Sequence, residues 1–383
     1  MLRICARLRR SPARPAVGLC NSRHAARDRE NCNPKRGARD RAAGLFILIA
    51  AVFLSSIGAA DSNASREVRI AGAAYLGDLP THVAEKRGLF ADEGLQAKVH
   101  YSESGKQNLM RLRAGETDFA LMALTPLVLD YLADEDRGRL DDPVILASLL
   151  QSYELTAVLA VPGTGIERPA DLAGRRVGFE RGANTEFVWW LFEQVHGIDP
   201  ETMETVSLPF SRSAEAVFSN RVDAVVLPEP WALQLEARYR RIEDVPLQRF
   251  DIHNLYAGRW IIVTSRQHVH ERRDACRKVL AAYRQASEWI ENSPSEAISI
   301  YAGSTHSSSR ILVERWQALD YDINLDWALV SSLQEQLRWA HDQAIATVAG
   351  PRRVLQLIEP GPLREILPDA VNIPQATTRK RLP

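Results

Sequence analysis

From Glu67 onward the chain alternates short β-branched or apolar runs with amphipathic helical stretches. This is how strands joined by crossover helices over a largely parallel sheet read in sequence. Strands are expected at 68–71, 97–101, 119–121 and 144–149, with helices at 80–87, 107–114 and 126–132, and the acidic stretch 134–142 reads as a solvated loop. A second unit repeats the pattern. Its strands are expected at 176–179, 205–208 and 224–227, its helices at 184–196 and 213–220, and its closing turn is Pro228-Glu229-Pro230-Trp231. Two further runs, 155–161 (LTAVLAV) and 260–264 (WIIVT), are apolar or β-branched throughout. Each suits a buried strand, and both are read as passing between the two units.

The expected fold class is α/β, with two lobes joined by a two-strand hinge. The first lobe is assigned to 67–158 and the second to 159–262, with a return to the first lobe over 263–375. Beyond Glu271 the pattern turns helical, with apolar spacing at Val279, Tyr283, Ala286 and Ile290 and again at Val330, Leu333, Leu337 and Ala340. Such stripes cover a core, and here they are expected to cover the first lobe. The polar, basic tail 376–383 is expected to fray.

Residues 1–60 form a distinct leader. Its segment 42–57 (AAGLFILIAAVFLSSI) is uncharged, follows Arg36, Arg39 and Arg41, and precedes Gly58-Ala59-Ala60. Basic residues, a short apolar run and small residues are the grammar of a signal peptide. The run falls short of the ~20 residues a spanning helix needs. Cleavage after Ala60 and a periplasmic location are therefore expected, with an uncleaved membrane anchor as the alternative. Residues 1–41 are long for such a leader, as a mis-assigned translation start would make them. No lipid-attachment cysteine follows the apolar run. About 320 of the 383 residues then remain, enough for two lobes.

The leader also hides the charge of the body. Of 48 basic and 48 acidic residues, the first 60 positions hold 12 and 3, which leaves 36 against 45. A net-acidic body is a poor partner for phosphate backbones, so no nucleic acid is expected. Of four cysteines only Cys276 lies in the body, which excludes an internal disulfide and a zinc site of paired cysteines. No cofactor or metal is expected.

Four fragments occur in an order that carries a resemblance: Gly88-Leu89-Phe90 through Gly94-Leu95, Leu112 through Gly115-x-x-Asp118-Phe119-Ala120, Asp171-Leu172 through Gly174-x-x-Val177-Gly178, and 217–230 (VFSNRVDAVVLPEP). Together they resemble periplasmic solute-binding proteins of the nitrate, sulfonate and taurine uptake type, a family that includes thiamine-precursor binders. The resemblance spans roughly 68–265. It implies a type II periplasmic-binding-protein-like fold, capture of one small molecule between the lobes, and delivery to an ABC transporter permease with its ATPase by a monomer that is not an enzyme. Read without the family, Gly88 and Gly94 bracket a helix end and a tight turn where positive φ suits glycine. Asp118 and Asp223 each stand between a helix and a short strand, where a carboxylate caps backbone.

In open α/β sheets ligands bind beyond the carboxyl ends of strands. Five loops qualify: 73–78, 102–107, 123–125, 182–185 and 229–231. They supply the candidates Tyr75, Asp78, Ser104, Lys106, Thr125, Asn184, Thr185, Glu229 and Trp231, to which Gln151 and Ser152 are added at the hinge. Ser104-Gly105-Lys106 and Gly182-Ala183-Asn184-Thr185 precede helices and offer free N–H groups to an anion. Ser104 and Asn184 could equally cap those helices. Glu229, stiffened by two prolines, could form with Trp231 a wall for a cationic or hydrogen-bonding ligand; alternatively Trp231 plugs the second core. On the first of these readings Glu229→Ala or Trp231→Ala weakens binding and leaves the fold intact. Trp189 and Trp190, between Phe187 and Phe192, are assigned to packing.

Other function classes find less support. The histidines show no metal-ligand spacing, and His268 with His270 is placed in a loop after a strand. G-x-S-x-G, P-loop and G-x-G-x-x-G motifs do not occur. Pyrimidine synthases resemble the same family, but their cysteine-rich motif does not occur in this sequence. A ligand-sensing clamp that signals to a membrane receptor remains an alternative to uptake.

Overall fold

The computed structural model describes residues 66–133, 139–252, 255–305, 309, 313, 316–345 and 354–374. The leader, residues 134–138 of the acidic stretch, His253 and the tail lie outside the described residues. Strands β1 (Glu67–Ala73), β2 (Gln96–Ser102), β3 (Phe119–Ala123) and β4 (Pro143–Ser152) come first, followed by β5 (Thr156–Ala160), β6 (Arg176–Phe179), β7 (Glu204–Ser207), β8 (Ala224–Pro228) and β9 (Gln248–Asp251). The chain returns through β10 (Gly258–Ser265) and β11 (Leu319–Asp320). They form two sheets, ordered β11-β4-β10-β3-β1-β2 and β7-β6-β8-β5-β9.

The two sheets share one plan. The run β4-β10-β3-β1-β2 is matched by β9-β5-β8-β6-β7. In each, a central strand pairs in parallel with two neighbours (β1 with β2 and β3, β6 with β7 and β8), and the strand that arrives from the other sheet (β10 in the first, β5 in the second) pairs antiparallel beside them. One side-chain device recurs as well. Arg69 on β1 gives Nε to Asp118 Oδ2 and Nη2 to Asp118 Oδ1, while its own N–H donates to Asp118 Oδ2 and Nη1 to the Gly115 carbonyl. Arg176 on β6 makes the same four bonds, to Asp223 and to the Asn220 carbonyl. A bidentate guanidinium–carboxylate fork thus ties the first strand of each lobe to the turn before the third. The aspartates do bond backbone, as their turn positions imply, but each also takes an arginine that sequence spacing did not pair with it.

Helices α1 (Leu79–Lys86), α2 (Leu89–Asp92), α3 (Gly105–Arg113) and α4 (Leu124–Ala133) belong to the first sheet, and α5 (Asn184–His196), α6 (Ser213–Phe218) and α7 (Trp231–Glu243) to the second. After β10 come α8 (Arg266–Glu271), α9 (Arg273–Asn292), α10 (Pro294–Thr305), α11 (Trp327–Asp342) and α12 (Gly361–Ile366). The returning helices cover the first sheet: α9 and α10 pack on α1, and α11 packs on α4. His268 and His270 sit on α8, capped by the Ser265 hydroxyl, and not in a loop. No helix among the described residues is long and apolar enough to cross a membrane.

Two expectations need correction. The run 155–161 does not pass between lobes, because every residue of β5 pairs with β8 inside the second sheet. Likewise β10, which holds 260–264, pairs with β3 and β4 inside the first. The chain crosses just before each: once between Ser152 and Thr156, once between Asp251 and Gly258. Nor are the halves packed separately. The main apolar cluster runs from the first sheet into one face of the second through Val158, Phe187 and Val226, and only the far face of the second sheet has its own cluster, around Leu159, Val225 and Leu235. The link is aromatic. Phe187 of α5 meets Tyr256 and Trp339 edge-on at 5.1 Å each, and Trp190 is tilted against Trp339 at 6.5 Å.

Candidate functional site

The parallel strands of both sheets end toward one another. Between Ala73 of β1, Ala123 of β3 and Pro228 of β8 lies a cavity lined by both sheets. Its apolar wall is Tyr75, Trp260 and Phe210 with two prolines, and its polar wall draws on α3 and α5. The Tyr75 and Trp260 rings lie 4.5 Å apart.

α3 begins at Gly105 with Ser104 in an extended N-cap conformation, yet Ser104 makes no cap bond to its own helix. Its hydroxyl donates across the gap to Glu180 Oε1 at 3.0 Å. α5 begins at Asn184 with Ala183 as N-cap, again with no side-chain cap. The Thr125 hydroxyl lies 3.2 Å from Asn184 Oδ1 and 2.9 Å from Gln336 Oε1, and its one proton serves either. The capping alternative therefore fails for both residues, because each side chain is turned to the opposite lobe. Lys106 Nζ donates to the Arg181 carbonyl at 2.8 Å, Ser211 to Glu103 Oε2 at 3.0 Å, and the Leu76 N–H to the Glu229 carbonyl at 3.1 Å. These bonds hold the lobes closed on one another. Burial raises the Glu180 carboxyl above its ordinary range, against the pull of Ser104 and Lys106.

Gly105 is required by close approach. A Cβ there would stand 2.6 Å from Met122 Cβ and 2.7 Å from Met122 Cα on β3, both closer than atoms tolerate. Gly105→Ala is therefore expected to push the start of α3 off the sheet, lowering stability by roughly 1–3 kcal/mol and displacing Ser104 and Lys106 from the cavity. Chemical denaturation of the variant beside the parent checks this; equal midpoints would refute the contact.

The sequence candidates divide. Tyr75, Ser104, Lys106, Asn184 and Thr185 line the cavity. Thr125 is fully buried directly behind Asn184. Ser152 lines a second, smaller hollow toward the crossings, and Gln151, paired with Arg259 and Asp320 in the sheet, lines neither. Three candidates stand elsewhere. Asp78 is wholly buried behind the wall, where its carboxylate accepts from the Ala73 N–H (2.6 Å), the Thr81 hydroxyl (2.6 Å) and Trp260 Nε1 (3.0 Å). Glu229 is also wholly buried. It pairs with Arg249 at 2.5 Å and accepts the Leu233 N–H at the start of α7. Trp231 packs against Phe210 and the second lobe's own cluster. The Glu229–Trp231 wall is thus a correction: the turn faces the lobe interior because its carboxylate is committed to a guanidinium and a helix end. Trp260, Phe210 and Thr156 were missed as site residues. Only Trp260 carried a signal, as an indole near the start of a strand, and its ring neighbour Tyr75 lies 185 residues away in sequence.

Cys276 on α9 is buried, and burial pushes its thiol up to about 12. It is not among the cavity's walls. Thiol reagents are expected to leave the native protein unmodified at pH 8 and to react once it is unfolded; rapid native labelling would contradict the burial. No cluster of His, Cys, Asp and Glu suited to a metal occurs among the described residues.

The fold is shared with solved structures. The alkanesulfonate-binding protein SsuA from Xanthomonas axonopodis pv. citri, bound to MOPS, is 15% identical, and the superposition covers 74% of this chain and 95% of that one with a TM-score of 0.63. The periplasmic aliphatic sulphonate binding protein SsuA from Escherichia coli is 14% identical, with 83% and 97% covered and a TM-score of 0.63. A cysteine-to-serine mutant of DszB in complex with biphenyl-2-sulfinic acid is 15% identical, with 79% and 99% covered and a TM-score of 0.56. No curated protein matches the sequence significantly. The sequence matches the family described as NMT1/THI5 like over residues 78–297, more than half the chain, and the four fragments that carry the resemblance fall within that span: the protein is a member of the NMT1/THI5-like family.

Proposed function

We propose that this chain is an extracytoplasmic solute-binding protein that closes two lobes over one small molecule and delivers it to an ABC transporter permease. One observation carries the reading: a cavity walled by strand ends and helix starts of both sheets, with polar bonds passing directly from lobe to lobe beside it. A clamp needs this arrangement. Once water is excluded, each bond made by a captured solute gains strength, and the two crossings supply a pivot. The sulfonate-binding proteins that share the fold support the reading, and the leader 42–57 supports export. DszB shares the fold too, but the body cysteine here, Cys276, stands outside the cavity.

A thermal-shift screen of sulfonates, nitrate, bicarbonate, pyrimidines and amines tests the reading. A bound solute at a hundred times its Kd adds about 2.7 kcal/mol of stability. Small-angle scattering with the best solute should then report a change in the closed fraction. A broad panel that moves no melting temperature would sink the proposal.

A further inference from the structure

Glu180 follows β6 in the second lobe and is 9% exposed. Its carboxyl is met from the first lobe, where the Ser104 hydroxyl donates to Oε1 at 3.0 Å. Oε2 is buried and has no hydrogen-bond partner among the described residues. Lys106, also of the first lobe, lies over the same loop, since a Cβ built on Gly182 would stand 3.2 Å from its Nζ. That ammonium is turned to the Arg181 carbonyl at 2.8 Å.

The neighbouring charges do not make good the deficit. Arg181 gives Nη2 to the Thr205 hydroxyl at 2.6 Å and holds Nη1 3.6 Å from Glu186 Oε1, while Glu186 Oε2 takes the Gly182 N–H at 2.7 Å. Glu103, from the first lobe, accepts from Ser211 at 3.0 Å and sets a second negative charge near Glu180. A half-satisfied carboxylate buried beside another carboxylate holds a proton more firmly than one in water. Burial is the largest cause here, and Ser104 and Lys106 oppose it. Ser104, Lys106 and Glu103 all belong to the opposite lobe, so this environment lasts only while the lobes are together.

We infer that Glu180 is a proton-linked latch: its carboxyl takes up a proton from solvent as the lobes close and returns it as they part, so the clamp holds its solute more tightly in acidic surroundings. The inference rests on the solute-binding reading and adds a regulation to it. Its sign follows from linkage. The closed form binds more protons than the open form, whose solvated Glu180 titrates in the ordinary carboxylate range. Closure therefore weakens as pH rises from that range to the higher one of the closed form, and levels off above it.

The test is a spin-label distance measurement on the full chain, with p-acetylphenylalanine carrying one label in place of Met110 on α3 and one in place of Ile242 on α7, exposed positions on the two lobes. From about pH 5 to about pH 8 the ratio of short-distance to long-distance molecules should fall at least about threefold. Glu180→Gln, which mimics the protonated carboxyl, should keep that ratio high and level. Ser104→Ala removes a donor that favours the charged form, so it should widen the swing, and it serves if Glu180→Gln does not fold. A wild-type ratio that ignores pH, or a folded Glu180→Gln whose ratio changes as the wild type's does, overturns the latch and leaves solute binding standing. A ratio that ignores pH, together with nitrate, methanesulfonate and uracil that raise the melting temperature at neither pH, counts against both.

Discussion

Asp78→Asn is expected to remove from the parent chain a contribution to stability that falls by about 4 kcal/mol between roughly pH 4 and pH 7. Burial raises the Asp78 carboxyl from its ordinary 3.8 to about 7, against the opposing pull of Thr81, the Ala73 N–H and Trp260, none of them a cation. The native state therefore keeps a proton that the unfolded chain releases from about pH 4 upward. More protons are bound in the native state across that window, so stability declines as pH rises through it and levels off above about 7. Other groups titrate there. Glu193, raised by burial to about 7, acts in the same direction. His82 and His268, lowered by burial to about 4, act in the opposite one, because the unfolded chain takes up protons below 6.5 that the native state refuses. The parent's own profile is a partial cancellation, and only the difference between parent and Asp78→Asn isolates the group. Urea denaturation of both proteins at four pH values between 4.5 and 8.5 measures that difference. A difference independent of pH would refute the buried, cation-free carboxyl.

The consequence reaches the site. Asp78 Oδ1 anchors Trp260, whose ring is one wall of the cavity. At low pH the protonated carboxyl still accepts from the indole, so the wall is retained. Above pH 7 the charged form tightens that bond while costing the fold stability.

Glu229→Ala should cost about 3–5 kcal/mol, in the range observed when one partner of a buried ion pair is deleted. The carboxylate is fully buried, lies 2.5 Å from Arg249, and accepts the Leu233 N–H. Arg249 keeps Glu236 at 2.8 Å, which moderates the loss, but the start of α7 loses its only side-chain acceptor among the described contacts. Trp231→Ala, by comparison, removes packing against Phe210 from a half-buried ring and should cost less. The readout is the denaturation midpoint, with solute affinity measured on the folded fraction. An affinity loss with an unchanged midpoint would return Glu229 to the ligand site and contradict the geometry.

Strand and helix positions were legible in the sequence because period and punctuation are local. β2, β6, β8 and α5 fall where alternation and the glycine and proline boundaries place them. Gly88 takes the positive φ of 74° that a left-handed helix end needs. The duplicated plan was legible as well, since Asp118 and Asp223 recur at matching turns. One rule, that ligands meet strand ends, placed Tyr75, Ser104, Lys106, Asn184 and Thr185 at the candidate cavity.

What sequence could not supply was the partner of each polar group. Ser104 and Asn184 are well suited to capping, and nothing within three residues of either records that Glu180 or Thr125 waits across the gap. Glu229 between prolines reads as an aimed ligand group until Arg249, twenty residues on, is found against it. The runs 155–161 and 260–264 read as lobe-crossing strands because a continuous apolar run reports burial and says nothing of which sheet does the burying. Sequence thus determined the elements, their order and their repetition, which depend on contacts a few residues apart. Tertiary structure alone decided which buried charges are spent on the fold and which donors are left facing a cavity, because those pairings join residues whose only link is the packing of two sheets.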